Sequence, residues 1–343
     1  MKKLLNTLFV TSPDVYLSLD GENIVVKREN EVAGRYPLHN LEAICTFGHA
    51  GASPALMGAC AKRDISITFL SRNGTFLARV TGESRGNVVL RKEQYRISDD
   101  ENRSALVARN FILGKIYNSK WILERATRDY PLRVDVQKIK SITSSLTETM
   151  KAVRDVTDLD VLRGFEGSAA VQYNSVLDDL ILQQKEYFYF NNRNKRPPLD
   201  NVNALLSFTY TLLANDMKAA LESVGLDAYV GFLHRDRPGR ASLALDVMEE
   251  LRAVCADRFV LSLINKKIIN EKGFAKKENG AVIMNDDTKR KVLGAWQERK
   301  QEKIQHPYLK EKISWGLVPY SQALLLARFI RGDLDEYPPF FWK

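Results

Sequence analysis

The stretch from Gly231 to Arg252, GFLHRDRPGRASLALDVMEELR, joins a lone histidine, His234, to a helix carrying spaced acids. Pro238 and Gly239 mark a turn after the histidine, Ser242 is placed to cap the helix, and Leu243, Val247 and Leu251 repeat at helical spacing. Asp246 and Glu249 stand three residues apart, on one side of that helix. Neighbouring carboxylates repel and gain if a cation sits between them, so the pair suits a cation site. The same spacing also fits a solvated acidic face on a core helix.

A second acid, Glu166, lies between glycines in Leu162–Ala170, LRGFEGSAA. Each glycine inside a helix sacrifices about 1 kcal/mol of propensity. Something should therefore approach the backbone closely there, either a neighbouring helix or a ligand phosphate. The loop Asn191–Asp200, NNRNKRPPLD, offers Arg193, Lys195 and Arg196 among amides. It suits phosphate contacts and an ordinary solvated connector alike. Asp200 is a reasonable cap for a helix from Asn201 whose Leu205, Phe208 and Leu212 are core. Lys266, Lys267, Lys276, Lys277, Lys289, Arg290, Lys291, Arg299, Lys300 and Lys303, diluted by four glutamates, leave a positive region fit for non-specific phosphate binding. Trp296, Tyr308 and Trp315 are expected in the core, and the tail Tyr337–Trp342 is apolar enough to dock. His39 and His49 are expected to make loop or core hydrogen bonds.

The elements that must position these residues fall into two kinds. From Leu4 to about Val80, short strand-like runs (LNTLFV, VYLSL, NIVVK, RYPL) are separated by Ser12-Pro13, Asp20-Gly21 and Ala33-Gly34. A helix fits Pro54–Lys62, and SITFL and TFLARV follow around Asn73-Gly74. After Gly86 the apolar spacing is i, i+3, i+4, as in Ser104–Ile122 and Val156–Phe188. The expectation is an α+β chain, with a small β-rich N-terminal domain over 1–85 and a larger all-α-helical domain over 86–343.

At 343 residues, with 45% hydrophobic and 27% charged residues, the chain suits two folded domains and excludes disorder. A net charge of +9 and an isoelectric point near 9.3 suggest a polyanionic partner. Cys45, Cys60 and Cys255 form no C-x-x-C pair, so they read as buried thiols in a reducing compartment. MKKLLNTLFV is interrupted by Asn6 and Thr7 and lacks a cleavage site, and Ala204–Ala214 is too short to span a membrane. A soluble, cytoplasmic protein is expected. Gly114-Lys115-Ile116 is not a phosphate-binding G-x-x-x-x-G-K-[ST] loop, so no nucleoside triphosphate should drive its chemistry.

The order of a β domain, GFEG, PPLDNVNALLSF, GLDAYVGFLH and SLALDVMEELR resembles the CRISPR-associated integrase of spacer acquisition, and the tail DLDEYPPFFWK resembles its subtype I-C version. The resemblance covers nearly the whole chain. It implies a metal-dependent DNA integrase and endonuclease that joins the 3′-hydroxyl of foreign DNA into the CRISPR repeat. It implies Mg²⁺ or Mn²⁺ held by Glu166, His234 and Glu249, with Asp246 matching an additional acidic position. This leaves open which of Asp246 and Glu249 is the direct ligand. Asn203 matches a recurrent asparagine, as an outer-sphere or DNA contact. The implied partners are double-stranded DNA, a second copy through the β-rich domain, and a small ferredoxin-like adaptation protein.

Overall fold

The computed structural model describes residues 7–343 other than 13, 30, 42, 49–50, 72–75, 81 and 83–87. His49, Pro13, Asn73-Gly74 and the first two residues of the LNTLFV run lie outside the described residues. A β-rich N-terminal part precedes a larger helical part, 54% of the chain being helical and 16% strand. By packing, the chain forms two compact units. The first is Met1–Arg85 with Met284–Glu302 and Ser314–Leu317; the second is Gly86–Ile283 with Lys303–Ile313 and Val318–Lys343.

In the first unit, β1 (Thr7–Val10), β2 (Val15–Asp20), β3 (Asn23–Arg28), β4 (Glu31–Pro37), β5 (Ala43–Phe47), β6 (Gly51–Ala52), β7 (Ser66–Leu70) and β8 (Phe76–Val80) make two four-stranded sheets. One sheet has the order β1-β5-β7-β8 and the other β4-β3-β2-β6. Strand β2 alternates, with Val15 and Leu17 buried and Tyr16 exposed, as a half-covered antiparallel strand must. Strand β5 does not alternate: it pairs in parallel with both β1 and β7 and buries Ile44 to Phe47 in succession. Helix α1 (Pro54–Lys62) starts where expected, because the Ser53 hydroxyl accepts the Leu56 amide and Pro54 takes the first helical position. Leu56 and Cys60 face Leu17, Ile24, Leu38, Ile44 and Ile67 in one core.

The second unit contains α2 (Val88–Asp99), α3 (Glu101–Asp129), α4 (Val136–Val153), α5 (Leu159–Asn174), α6 (Asn201–Ser223), α7 (Ser242–Leu251) and α8 (Arg258–Asn265). Helix α9 (Asp286–Gln301) belongs to the first unit, and α10 (Val318–Ile330) to the second. Three-residue strands interrupt the helical part at Phe274–Lys276, Val282–Met284, Lys303–Gln305 and Lys312–Ser314. The long α3, about 43 Å at 1.5 Å per residue, is the spine against which α4, α5 and α7 pack.

Three local expectations are corrected. The helix from Val156 was expected to reach Phe188 but stops at Asn174; Val176, Leu177, Leu180, Ile181 and Phe188 stay buried in a chain that keeps only a 3-10 turn at Asp178–Leu180, so the apolar spacing persists without the helix. Ser242 is the first helical residue rather than its cap. Its hydroxyl donates to the Arg235 carbonyl and accepts from Arg240. Tyr308 is exposed whereas Trp296 and Trp315 are buried, and Lys289 and Lys300 of the basic region are buried too. Among the described residues no helix is long and apolar enough to cross a membrane.

Candidate active site

The His234 loop is held from three helices. Gln94 of α2, fully buried, donates to the carbonyls of Asp227 and Val230, and Ser98 donates to that of Gly231. Arg163 of α5 donates to the Leu233 carbonyl at 2.9 Å. From α7, Asp246 accepts the amides of Phe232 (2.6 Å) and Leu233 (2.9 Å) on one oxygen, and the His234 amide (3.0 Å) and ring Nδ1 on the other. Gly231 is required here, because a β-carbon would stand 2.7 Å from the Asp246 Oδ2. The Asp246 carboxylate is wholly buried and its lone pairs are committed to the loop. Nδ1–H donates to it, so the free lone pair of the imidazole is on Nε2.

Glu166 and Glu249 meet at Lys115. The ammonium, carried by α3, is hydrogen-bonded to Glu166 of α5 and lies 2.8 Å from Oε2 of Glu249 on α7. The other Glu249 oxygen pairs with Arg252 at 2.7 Å. Oε2 is buried and faces Lys115 by charge, without a well-aligned hydrogen bond. Burial pushes the Glu249 carboxyl up, but Arg252, Lys115 and His234 together bring it below the usual carboxylate range. Arg252 opens a wide π turn, Arg252–Asp257, that joins α7 to α8. Such turns recur at functional sites. Its guanidinium lies 5.4 Å from the Tyr210 ring. Tyr210 in turn donates to Asp257 at 2.6 Å, and burial raises the Asp257 carboxyl to about 6.

The loop after Phe190 is built on Asn203, which is fully buried. Its carbonyl oxygen accepts from Arg193 (2.7 Å) and the Asn194 amide, and its amide donates to Asp200 and the Asn192 carbonyl. Asn203 is therefore a scaffold for the basic loop. Arg193 turns inward onto Asn203 and Ser207, whereas Lys195 and Arg196 are exposed. Partial burial depresses the Lys195 ammonium, the cations Arg252, Arg193 and Arg196 add to this, and Glu249 opposes them. A β-carbon at Gly164 or Gly167 would meet nothing within 4 Å, so no neighbouring helix explains those glycines and the backbone around Glu166 is open.

Behind α7 the C-terminal tail docks. Glu250 accepts from the Tyr337 hydroxyl (2.5 Å), Gln322 (2.8 Å) and the Phe340 amide (2.7 Å), and burial raises its carboxyl to about 7. Asn118 donates to the carbonyls of Glu250 and Phe340. Gly114 of α3 permits this close approach, since a β-carbon there would stand 2.8 Å from that of Glu250.

The structure thus joins Glu166 to Glu249 through Lys115, and His234 to Asp246. Among the described residues it gathers no three histidine, cysteine or acidic side chains closely enough to hold a metal ion. The donor types nonetheless fit a hard divalent cation: two carboxylates, one with a buried oxygen lacking an aligned donor, and an imidazole oriented by a carboxylate. Sequence reading missed Lys115 and Arg252. Arg252 was findable, three residues beyond Glu249 on the same helix face.

The family model for CRISPR associated protein Cas1 matches residues 8–298. A CRISPR-associated endonuclease Cas1 of Chlorobaculum tepidum is 48% identical over 343 residues, covering all of both chains. Among solved structures, a casposase bound to integration product superimposes with a TM-score of 0.84 at 23% identity, over 98% of this chain and 94% of that one. A Cas6-RT-Cas1–Cas2 complex does so with a TM-score of 0.81 at 23% identity, over 100% of this chain and 36% of that one. Fold and relatives define a CRISPR-associated protein of the nuclease and integrase class. The chain belongs to the Cas1 family.

Proposed function

We propose that the protein is a CRISPR adaptation integrase, joining the 3′-hydroxyl ends of foreign DNA into the repeat by phosphodiester exchange, with endonuclease activity as the hydrolytic variant. The observation that carries this is the convergence of Glu166 and Glu249 on one cationic centre, beside an imidazole fixed by Asp246. Glu166, Glu249 and Nε2 of His234 would hold Mg²⁺ or Mn²⁺, and Glu249 rather than Asp246 is the direct ligand because Asp246 is spent on the loop. Bound there, the metal would supply Lewis-acid polarisation of the attacked phosphate. Asp246 keeps Nε2 turned to the site by holding Nδ1–H. Lys195 and Arg196 bind the DNA backbone without reading bases, and Arg193 holds their loop in shape. The open backbone at Gly164 and Gly167 lets a phosphate come close to Glu166.

The exposed Tyr16, Val32 and Tyr36 on the β4-β3-β2-β6 sheet support pairing of two copies through the β-rich domain of residues 1–85, leaving chemistry to 86–343. The similarity to a chain of a Cas6-RT-Cas1–Cas2 complex supports a Cas2 partner, which the family resemblance gives as a small ferredoxin-like adaptation protein. The tail DLDEYPPFFWK supports the subtype I-C version, and the cytoplasm is the compartment this reading requires.

The test uses labelled DNA with a free 3′ end, target repeat DNA and Mn²⁺. Joined products from the wild type, none from a 3′-dideoxy end and none from Glu166→Gln with DNA binding retained are expected, with ATP making no difference. Cut products alone would favour a nuclease of branched DNA, and joining from the dideoxy end would overturn the integrase reading.

A further inference from the structure

The charge arrangement around Glu249 shows how a metal must enter. Glu249, 2% exposed, divides its oxygens between Arg252 and Lys115, and Glu166 is tied to Lys115 as well. Two carboxylates therefore already face two cations. A divalent ion added to this set would bring two positive charges against Lys115 and Arg252 around the buried Glu249, where repulsion is less screened than in open solvent. One resident cation has to withdraw. Arg252 is poorly able to, since it opens the π turn directly after α7, three residues past Glu249, and its guanidinium lies beside the Tyr210 ring. Lys115 reaches in from α3, a helix that carries neither glutamate, on a flexible four-carbon stem that can swing the ammonium aside.

We propose that Lys115 is a resident counter-ion that a divalent metal displaces from Glu166 and Glu249, so that loading is an exchange of one cation for another. This rests on the reading that those two carboxylates take the metal. It gives Lys115 two effects of opposite sign. The lysine relieves repulsion between the two glutamates when no metal is added, and it competes with metal when metal is present.

The experiment measures Mn²⁺ binding by the full-length, EDTA-treated protein, from the loss of the free-ion paramagnetic resonance signal, for the wild type, Lys115→Met and Lys115→Arg. Removing one unit charge in contact with the site should tighten Mn²⁺ binding about ten-fold in Lys115→Met. Lys115→Arg, which keeps the charge, should bind no more tightly than the wild type. Thermal unfolding adds a readout: Lys115→Met should melt below the wild type in EDTA and gain more from Mn²⁺. Unchanged or weaker Mn²⁺ binding by Lys115→Met overturns the exchange and leaves the carboxylate site standing. No Mn²⁺ binding by the wild type overturns both. Should Lys115→Met fail to fold, amine acylation of the wild type read by mass spectrometry decides the matter. Lys115 should react several-fold faster in saturating Mn²⁺ than in EDTA, with the exposed Lys27 of β3 unchanged, and equal rates at Lys115 overturn the exchange.

Discussion

Asp246 holds His234 at two points, accepting both the ring Nδ1 and the backbone amide on one oxygen while its other oxygen takes the amides of Phe232 and Leu233. An asparagine cannot replace this, because one of its two terminal atoms is a donor facing donors. Asp246→Asn should lose about 2–4 kcal/mol of stability from buried groups left unpaired. His234→Ala, which leaves the loop amides bonded, should lose less than about 1 kcal/mol. Urea denaturation of both variants separates them; equal losses would mean that Asp246 does not carry the loop.

The glycines divide by what surrounds them. Gly114→Ala drives a methyl against Glu250 and should cost about 1–3 kcal/mol through overpacking. Gly164→Ala and Gly167→Ala meet nothing and should each stabilise α5 by up to about 1 kcal/mol. If a DNA phosphate approaches that backbone, the same two variants should join DNA more slowly despite melting higher. A stabilised variant with undiminished joining would remove the phosphate reading of this segment.

Lys195 and Arg196 should behave unlike Arg193. Reversing the charge at either exposed position should reduce the salt slope of duplex binding by about 0.9 log unit per lost contact. Arg193→Ala should leave that slope nearly unchanged and cost about 1–3 kcal/mol, by removing the bonds Arg193 makes to Asn203 and Ser207. Titrations at several salt concentrations check the first pair, and denaturation the second.

His306 gives a pH dependence of defined sign. The amides of Tyr308 and Leu309 donate to its Nδ1 and its Nε2–H donates to Gln322, so a proton on Nδ1 would oppose two donors. Burial lowers it from 6.5 to about 4. A base lowered in the folded state contributes stability that is complete above pH 6.5 and is lost as pH falls toward 4. His306→Asn should therefore be destabilised at pH 7, with its deficit against the wild type shrinking by about 2 kcal/mol by pH 5. A deficit that stays constant with pH would rule this out.

What the sequence conveyed follows from how local each signal is. Helix α1 was readable from its Pro54 start, and the start of α6 from its cap, Asp200, which acts within three residues. Strand β5 escaped because AICTF is buried on both faces and shows no alternation. Lys115 escaped for a different reason. Its partners lie in other helices, 51 residues away in the case of Glu166, and nothing near Gly114-Lys115-Ile116 marks a charged residue that folding will place between two acids. The standing of Asp246 was undecidable from spacing alone, because Asp246 and Glu249 share a helix face and only the returning His234 loop distinguishes them.

Glu249 and Glu250 are consecutive, and they work on different sides of α7: one on Lys115 and Arg252, the other on Tyr337, Gln322 and Phe340. This makes the helix unable to roll about its own axis. With side chains reaching about 5–6 Å from the axis, a 20° roll would sweep each carboxylate through about 2 Å. That is enough to break every bond Glu250 makes to the tail. The tail is thus a torsional brake on the helix that carries Glu249, holding the angle at which that carboxylate faces its partners.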